Sequence, residues 1–553
     1  MAGTRLQIVG AFVLFALLAA PVAWHLTQVE RVELPVSRIQ RLSWAASRFG
    51  GPDAFQVDVY SLGSNRPGGP SALPSSAPNV VYNTHHLELS AGQKQTLQTA
   101  AQSGLQATDD ALQTLVKTRH KRFSVFLLCD DKAAAGAASV LTVGKHRHAW
   151  SSQCQVTEGD AVHSAIETLV GRHVYPRADE KSEKKSIDTK TARRALHYRL
   201  QFSLLKENPV TPWTENLQTL VDRYLGRFVQ KVGAVANFTV ETQVVQYARL
   251  AREVTPSADG KEFYLNAEDL KQFKSANDFL DTSVLDDGEQ VLHFMAALPD
   301  PMHAPLFIRP ADQEKSPATS FELPGWGIVV ILNPHALNSE PSVNALEEKI
   351  AATAAKTKEQ ELQRVMGLFV SEFRTLLGVP SFGRRQREED AASRRLQFLP
   401  SPADGIADWE LDVVMRDRFT KLMQTAIETL QSTVELVETL PELSVLERVQ
   451  TRVETAVTRL EAILCDSNVE QQQECAEASD LRSLLAMARQ ASELTDAAYY
   501  DHTMIRQLYF PQEQMLGVYA PLLAPLILPF LLGFVRELKR FKAKRAAKQV
   551  KLQ

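Results

Sequence analysis

The histidines and cysteines are the residues of this 553-residue chain best suited to chemistry, and their spacing decides what they can do. His146-Arg147-His148 offers two imidazoles, enough to begin a metal set. No neighbouring cluster of Cys, Asp or Glu completes one, so the segment reads as a solvated loop, and His85-His86 reads the same way. Asp130 and Asp131 read as a turn ending a strand. A Cys/His pair built on Cys129 or Cys154 lacks an accompanying turn or oxyanion motif. No G-x-S-x-G, H-E-x-x-H or G-x-x-x-x-G-K-[ST] pattern occurs. No catalytic residue, cofactor ligand or metal ligand is therefore assigned, although carboxylates distant in sequence can still meet in space.

Two other sets concern modification. Asn237-Phe238-Thr239 is an acceptor sequon for N-glycosylation, on a segment that reads as strand. Cys465 ends one helical run and Cys475 opens the next, with a polar stretch between them. A disulfide there would close a short loop and staple a helical hairpin, contributing about 2–3 kcal/mol in the chain-entropy view. Cys129 follows an apolar strand and reads as a small buried hydrophobe, and its pairing with Cys154 stays open.

The elements that position these residues begin at the chain's two ends. Residues 6–27 and 515–535 carry no Asp, Glu, Lys or Arg. At 1.5 Å per residue each run reaches about 30 Å, the thickness of a bilayer core. The first run reads as a spanning helix rather than a cleaved signal, because it is long, contains Pro21 and lacks a small-x-small site before Trp24. Residues 536–553 hold eight basic residues and one acid. Such a tail stays on the cytoplasmic side, which places the C-terminus there and, with two spans, the N-terminus as well. Arg31, Arg38, Arg41 and Arg48 weigh the other way, but the tail is denser and long domains translocate largely regardless of charge. The expected layout is a cytoplasmic N-terminus at 1–5, a span at 6–27, a luminal α/β region at 28–345, a luminal helical region at 346–514, a span at 515–535 and the basic tail. The net charge of −4 includes that tail, so the middle is more acidic still. An acidic middle argues against nucleic acid as its partner.

Inside the middle, β-branched or alternating runs predict strands at Phe55–Leu62, Val80–Leu89, Arg122–Cys129, Leu196–Leu205, Phe238–Leu250, Gln290–Ala297 and Gly327–Leu332. Helices are expected at Ala91–Lys117, Ala161–His173, Thr214–Val232 and Ala267–Leu280. From Leu346 the apolar period becomes 3.6, giving four amphipathic stripes that read as a packed helical layer. Ser64–Pro78, Arg177–Lys190 and Arg384–Arg395 read as exposed insertions or connectors. No internal repeat is visible. The fold class expected is a mixed α/β luminal domain with a helical C-terminal part, flanked by two single transmembrane helices.

Five segments, in order and framed by the two runs, resemble a known family: YRLQFSLLKENP (Tyr198–Pro209), GAVANFTVETQVVQYARL (Gly233–Leu250), PGWGIVVILNP (Pro324–Pro334), DWELD (Asp408–Asp412) and LYFPQEQMLGVYAPLLAPLILP (Leu508–Pro529). The chain is similar to the S subunit of the glycosylphosphatidylinositol (GPI) transamidase, the phosphatidylinositol-glycan class S family. The resemblance implies a non-catalytic subunit in the endoplasmic-reticulum membrane, with no cofactor of its own. Its complex joins preassembled GPI to the C-terminus of proproteins. The implied partners are the class K subunit, which holds the nucleophilic cysteine, the class T and class U subunits and the anchor-attachment subunit. The family's sequon falls on Asn237, whereas the Cys465/Cys475 pair rests on spacing alone. A membrane-tethered luminal hydrolase and a glycan- or peptide-binding receptor remain the competing readings.

Pro521, Pro525 and Pro529 recur every four residues along one side of the second run and leave backbone carbonyls unpaired there. In hydrocarbon such carbonyls need protein neighbours or a bend. This side is expected to face another subunit, or a lipid substrate between subunits.

Overall fold

Buried strands that pack on both faces read as continuous apolar runs, and those runs become two largely parallel sheets in a computed structural model of the chain. The structure describes residues 31–48, 55–62, 80–116, 122–128, 140–151, 159–175, 195–209, 213, 216–250, 254–257, 260–265, 289–309, 317–333, 345–379, 395–400, 404–440, 443–464 and 480–504, with single positions or short groups within 11–18 and 517–543.

The chain opens with α1 (Val36–Arg48), β1 (Phe55–Leu62), β2 (Val80–Leu87), α2 (Ala91–Ser103), α3 (Leu105–Leu115), β3 (Arg122–Leu128), β4 (Leu141–Val143) and β5 (His148–Ser151). Next come α4 (Gly159–Thr168), β6 (His197–Lys206), α5 (Leu217–Val232), β7 (Asn237–Gln246), β8 (Thr255–Pro256), β9 (Phe263–Leu265) and β10 (Glu289–Leu298). The rest is β11 (Leu306–Ile308), β12 (Ser320–Leu323), β13 (Gly327–Ile331), α6 (Ala345–Leu376), β14 (Leu396–Phe398), α7 (Asp408–Thr439), α8 (Glu447–Leu464) and α9 (Leu481–Tyr499).

These elements fall into two compact units. An α/β unit holds residues 50–420 and 478–485, and a helical unit holds residues 1–49, 421–477 and 486–553. Within the α/β unit the first sheet has the order β14-β4-β5-β3-β1-β2 and the second β12-β13-β10-β6-β7. Read from the other edge, β2-β1-β3-β5-β4 matches β7-β6-β10-β13-β12 strand for strand. In each set the first four strands are mutually parallel and the fifth is antiparallel. The expectation of no internal repeat is corrected here. The repeat lives in strand pairing, which many side-chain sequences satisfy equally well. The copies differ at their margins: β14 extends the first sheet beyond β4, and β8, β9 and β11 form a small third sheet.

Each large sheet is covered on both faces. Phe55, Val57, Val59, Phe123, Val125 and Leu127 belong to one core, while Leu62, Phe126 and Trp150 join Leu97 and Leu112 in another. On the second sheet, Phe202 and Phe294 stack at 4.9 Å between ring centroids. Phe369 and Phe373, one turn apart on α6, close over Phe294 at 5.7 Å each. Gly327 permits the close pass of β13 by β10, because a Cβ there would sit 1.9 Å from the His293 carbonyl oxygen.

In the helical unit α8 buries Val449, Val453, Ala456, Val457, Leu460 and Ile463, a 3.6-period stripe. It is also an anchor. Val32 N–H donates to the Val445 carbonyl (3.0 Å) just ahead of α8. Arg38 of α1 grips Glu461 through Nε (3.0 Å) and Nη2 (2.6 Å). Arg448 grips Asp501 in the same two-pronged way, at 3.0 and 2.8 Å. The chain just after the first apolar run and the chain shortly before the second are thus both fastened to α8.

Among the described residues no helix is long and apolar enough to cross a membrane. The runs 6–27 and 515–535 lie largely outside the described residues. The positions that are described, among them Leu14, Leu18, Pro521, Pro525, Pro529 and Leu532, are helical and exposed. All four cysteines, the expected Ala267–Leu280 helix, Asp130–Asp131, Ser64–Pro78, Arg177–Lys190 and nearly all of Arg384–Arg395 lie outside the described residues.

Candidate functional site

A dense set of ionisable groups gathers where α3, the turn from β4 to β5 and the start of α7 meet. Ser90 and Gln93 form a capping box that starts α2, and Gly104, at φ +126°, separates it from α3. One continuous helix was expected over Ala91–Lys117, and the glycine breaks it in two. The break lets α3 present Asp109 and Asp110 to the turn Gly144–Arg147.

That turn is fixed from three sides. Gly144 N–H donates to the His148 carbonyl at 3.0 Å, and Asp408 N–H to the Lys145 carbonyl at 2.8 Å. Trp409 Nε1–H donates to the Gly144 carbonyl at 3.0 Å. Lys145 N–H donates to Asp109 Oδ2 at 3.1 Å. A Cβ on residue 144 would lie 1.8 Å from Asp109 Oδ1, so only glycine leaves the carboxylate room.

His146 bridges two acids. Its Nδ1 is 3.0 Å from Asp408 Oδ2 and its Nε2 is 3.6 Å from Asp110 Oδ1. Lys145 Nζ lies 2.6 Å from Asp110 Oδ1, and Lys231 Nζ 2.8 Å from Asp408 Oδ1. Arg147 pairs with Asp412 through two nitrogens, Nη2 to Oδ1 at 2.9 Å. His148 is buried, with Nε2 2.8 Å from Asp109 Oδ1. Asp408, Glu410 and Asp412 lie in the first turns of α7, where the helix dipole favours negative charge.

The charges respond. The hydrogen bond to Asp408 raises the His146 pKa above its ordinary value, against burial. Burial works to raise Asp408, yet hydrogen bonds from His146 and Lys231 hold its carboxyl well below the usual carboxylate range. The Lys145 hydrogen bond lowers Asp110, and Asp110 in turn raises Lys145.

The expected solvated loop at His146–His148 is corrected. His148 opens β5 and is buried, and His146 is half-buried between carboxylates. His85 and His86 lie in β2, not in a loop, and His85 Nε2 is 3.3 Å from Asp58 Oδ1. Sequence reasoning missed Asp109, Asp110 and Asp408 as neighbours of His146, because the first two are carried by a different helix and Asp408 is 262 residues away. The one available signal was DWELD, three acids at alternate positions opening a helix. Ligand atoms of Asp109, Asp110 and His146 lie within 4.8 Å of one another. Among the described residues neither His146 nor His148 hydrogen-bonds a serine or threonine hydroxyl, and the partners that face them are carboxylates.

Asn237 stands apart, as the first residue of the edge strand β7. Asn237 and Thr239 are exposed on one face, while Phe238 turns inward and stacks on Tyr198 at 5.6 Å. The sequon is therefore accessible.

Comparison with known proteins agrees with the five-segment resemblance. The profile of the family described as phosphatidylinositol-glycan biosynthesis class S protein matches residues 10–544. The GPI-anchor transamidase component PIGS of Rattus norvegicus is 24% identical over 540 residues, covering 92% of this chain and 90% of the rat protein. The Bos taurus protein of the same name is 26% identical over 333 residues, 59% of this chain, and the match spans about half of the bovine length (54%). The GPI transamidase component PIG-S homolog of Schizosaccharomyces pombe is 22% identical over 374 residues, 66% of this chain and 58% of its own.

Proposed function

The chain belongs to the phosphatidylinositol-glycan biosynthesis class S family, and from that premise we propose that it is a non-catalytic, membrane-tethered subunit of a GPI transamidase. The assembly would join preassembled GPI to the C-terminus of proproteins. The observation that carries the reading is a family match running from residue 10 to residue 544, which takes in both structural units. The names of the mammalian and yeast relatives support membership of the complex.

Residues 6–27 and 515–535 span the endoplasmic-reticulum membrane, both termini are cytoplasmic, and residues 28–514 are luminal. Asn237 carries a glycan, and Cys465 pairs with Cys475. The partners are the class K catalytic subunit, the class T and class U subunits and the anchor-attachment subunit. The clasp on α8 supports this layout. A chain that leaves the bilayer and returns to it must bring both ends of its luminal part to the same membrane face, and α8 holds both ends through Glu461 and Arg448, with Val445 just ahead of it. Tethering at two points confines the body to one plane and raises its effective concentration near membrane partners.

Purification in mild detergent tests the role. Stoichiometric recovery of the class K subunit is expected, with no transamidation by the isolated chain. Turnover by the isolated chain would favour the hydrolase reading, and saturable glycan or peptide binding without partners the receptor reading. Protease added to sealed microsomes should spare residues 28–514, and Asn237→Gln should abolish a glycosidase-sensitive mobility shift. Digestion of that segment would overturn the topology.

A further inference from the structure

We propose that Asp109, Asp110 and His146 form a site for one divalent transition-metal ion of the zinc class, with Asp408 orienting the histidine. Donor atoms of the three residues already lie within 4.8 Å of one another. Two donors on one zinc ion sit about 3.4 Å apart, given bonds of about 2.0–2.2 Å, so modest side-chain rotation closes the set.

The histidine is arranged as metal-binding imidazoles are. Its Nδ1 is held by the Asp408 carboxylate at 3.0 Å, which leaves Nε2 facing Asp110 at 3.6 Å. A carboxylate on one ring nitrogen fixes the tautomer and orientation that present the other to a metal.

A second observation points the same way. Asp109 is only 1% exposed, and its Oδ1 receives no hydrogen bond. The nearest nitrogen is His148 Nε2 at 2.8 Å, and neither nitrogen of that fully buried ring is hydrogen-bonded. A buried carboxylate oxygen that accepts no hydrogen bond is costly, and a bound cation lowers the cost. Access is open on the other side, because the Asp110 side chain is 59% exposed.

Lys145 is the competitor. Its Nζ lies 2.6 Å from Asp110 Oδ1 and supplies the positive charge that a metal would bring. Its stem is flexible and its head is readily solvated, so an entering ion displaces it outward. One imidazole with two carboxylates suits zinc better than calcium, which takes six to eight oxygens. The ion would tie α3, the β4–β5 turn and the start of α7 together at one point.

The test uses the full-length chain in detergent, stripped with a chelator and titrated with zinc alone against a chromophoric indicator, with metal content read by mass spectrometry. Wild type should hold one ion that is weakened by about tenfold or more in Asp110→Asn and in His146→Gln. Lys145→Met should bind about tenfold tighter than wild type, because the competing ammonium is gone. Asp110→Asn changes an exposed side chain, and its metal-free melting temperature confirms that it is folded. Absence of binding in both wild type and Lys145→Met would overturn the proposal. Equal affinity across all four proteins would do the same, since it would place the zinc elsewhere.

Discussion

Gly144→Ala tests the packing of the ionic cluster more sharply than loss of any charge. The added methyl carbon would fall 1.8 Å from Asp109 Oδ1, 2.8 Å from its Cγ and 3.2 Å from Trp150 Cζ3. The carboxylate must move, and it takes with it the hydrogen bond from Lys145 N–H. Losing a hydrogen bond to a charged group costs about 1.5–3 kcal/mol, and crowding a packed site about 1–3 kcal/mol more. The expected loss is about 2.5–6 kcal/mol, or roughly two to four decades in the population of the opened state. Native-state proteolysis reads that population directly when reclosing outpaces cleavage. The control is the same change in an Asp109→Ala background. The methyl then has room, only the Trp150 contact remains, and the cost should fall below about 1 kcal/mol. Equal losses in the two backgrounds would refute the argument, because the penalty would then lie in the backbone and not in the approach of Asp109.

Three further outcomes are expected. Phe294→Ala removes a fully buried ring in contact with Phe202, Phe369 and Phe373 and should cost about 3–5 kcal/mol, seen as rapid proteolysis of the α/β unit. The His146–Asp408 pair should stabilise most between about pH 4 and 6.5. The raised histidine contributes fully below its unfolded value and loses that contribution as pH climbs through the folded one, while the lowered Asp408 loses its own as pH falls. Asp408→Asn should flatten the melting-temperature profile over that span, and an unchanged profile would count against the pairing. Replacing Pro521, Pro525 and Pro529 together with Leu should reduce co-purification of partner subunits, and unchanged assembly would mean that this side faces lipid.

The long buried strands were legible because burial on both faces writes a continuous apolar run. The runs expected at Phe55–Leu62 and Gly327–Leu332 match β1 and β13 closely. The four amphipathic stripes after Leu346 likewise became α6 to α9. What escaped was short or non-local. Strands β4, β5 and β14 have three, four and three residues and exist because a neighbour pairs with them, a condition no local window contains. The Gly104 break depends on one backbone angle. The ionic cluster escaped for the same reason as the repeated sheet. Its members belong to separate elements, and only the completed topology sets Asp109 beside Gly144 and Asp408 beside His146.

The clasp on α8 imposes an order of events during synthesis. Arg38 leaves the ribosome early, yet its partner Glu461 follows 423 residues later. At about 5–20 residues per second that interval is roughly 20–80 s. Strands β1 to β13 and helices α2 to α6 are all made within it and have time to collapse on their own. Helix α1 waits through the whole interval for its docking surface, so an element made early is among the last to reach its final contacts.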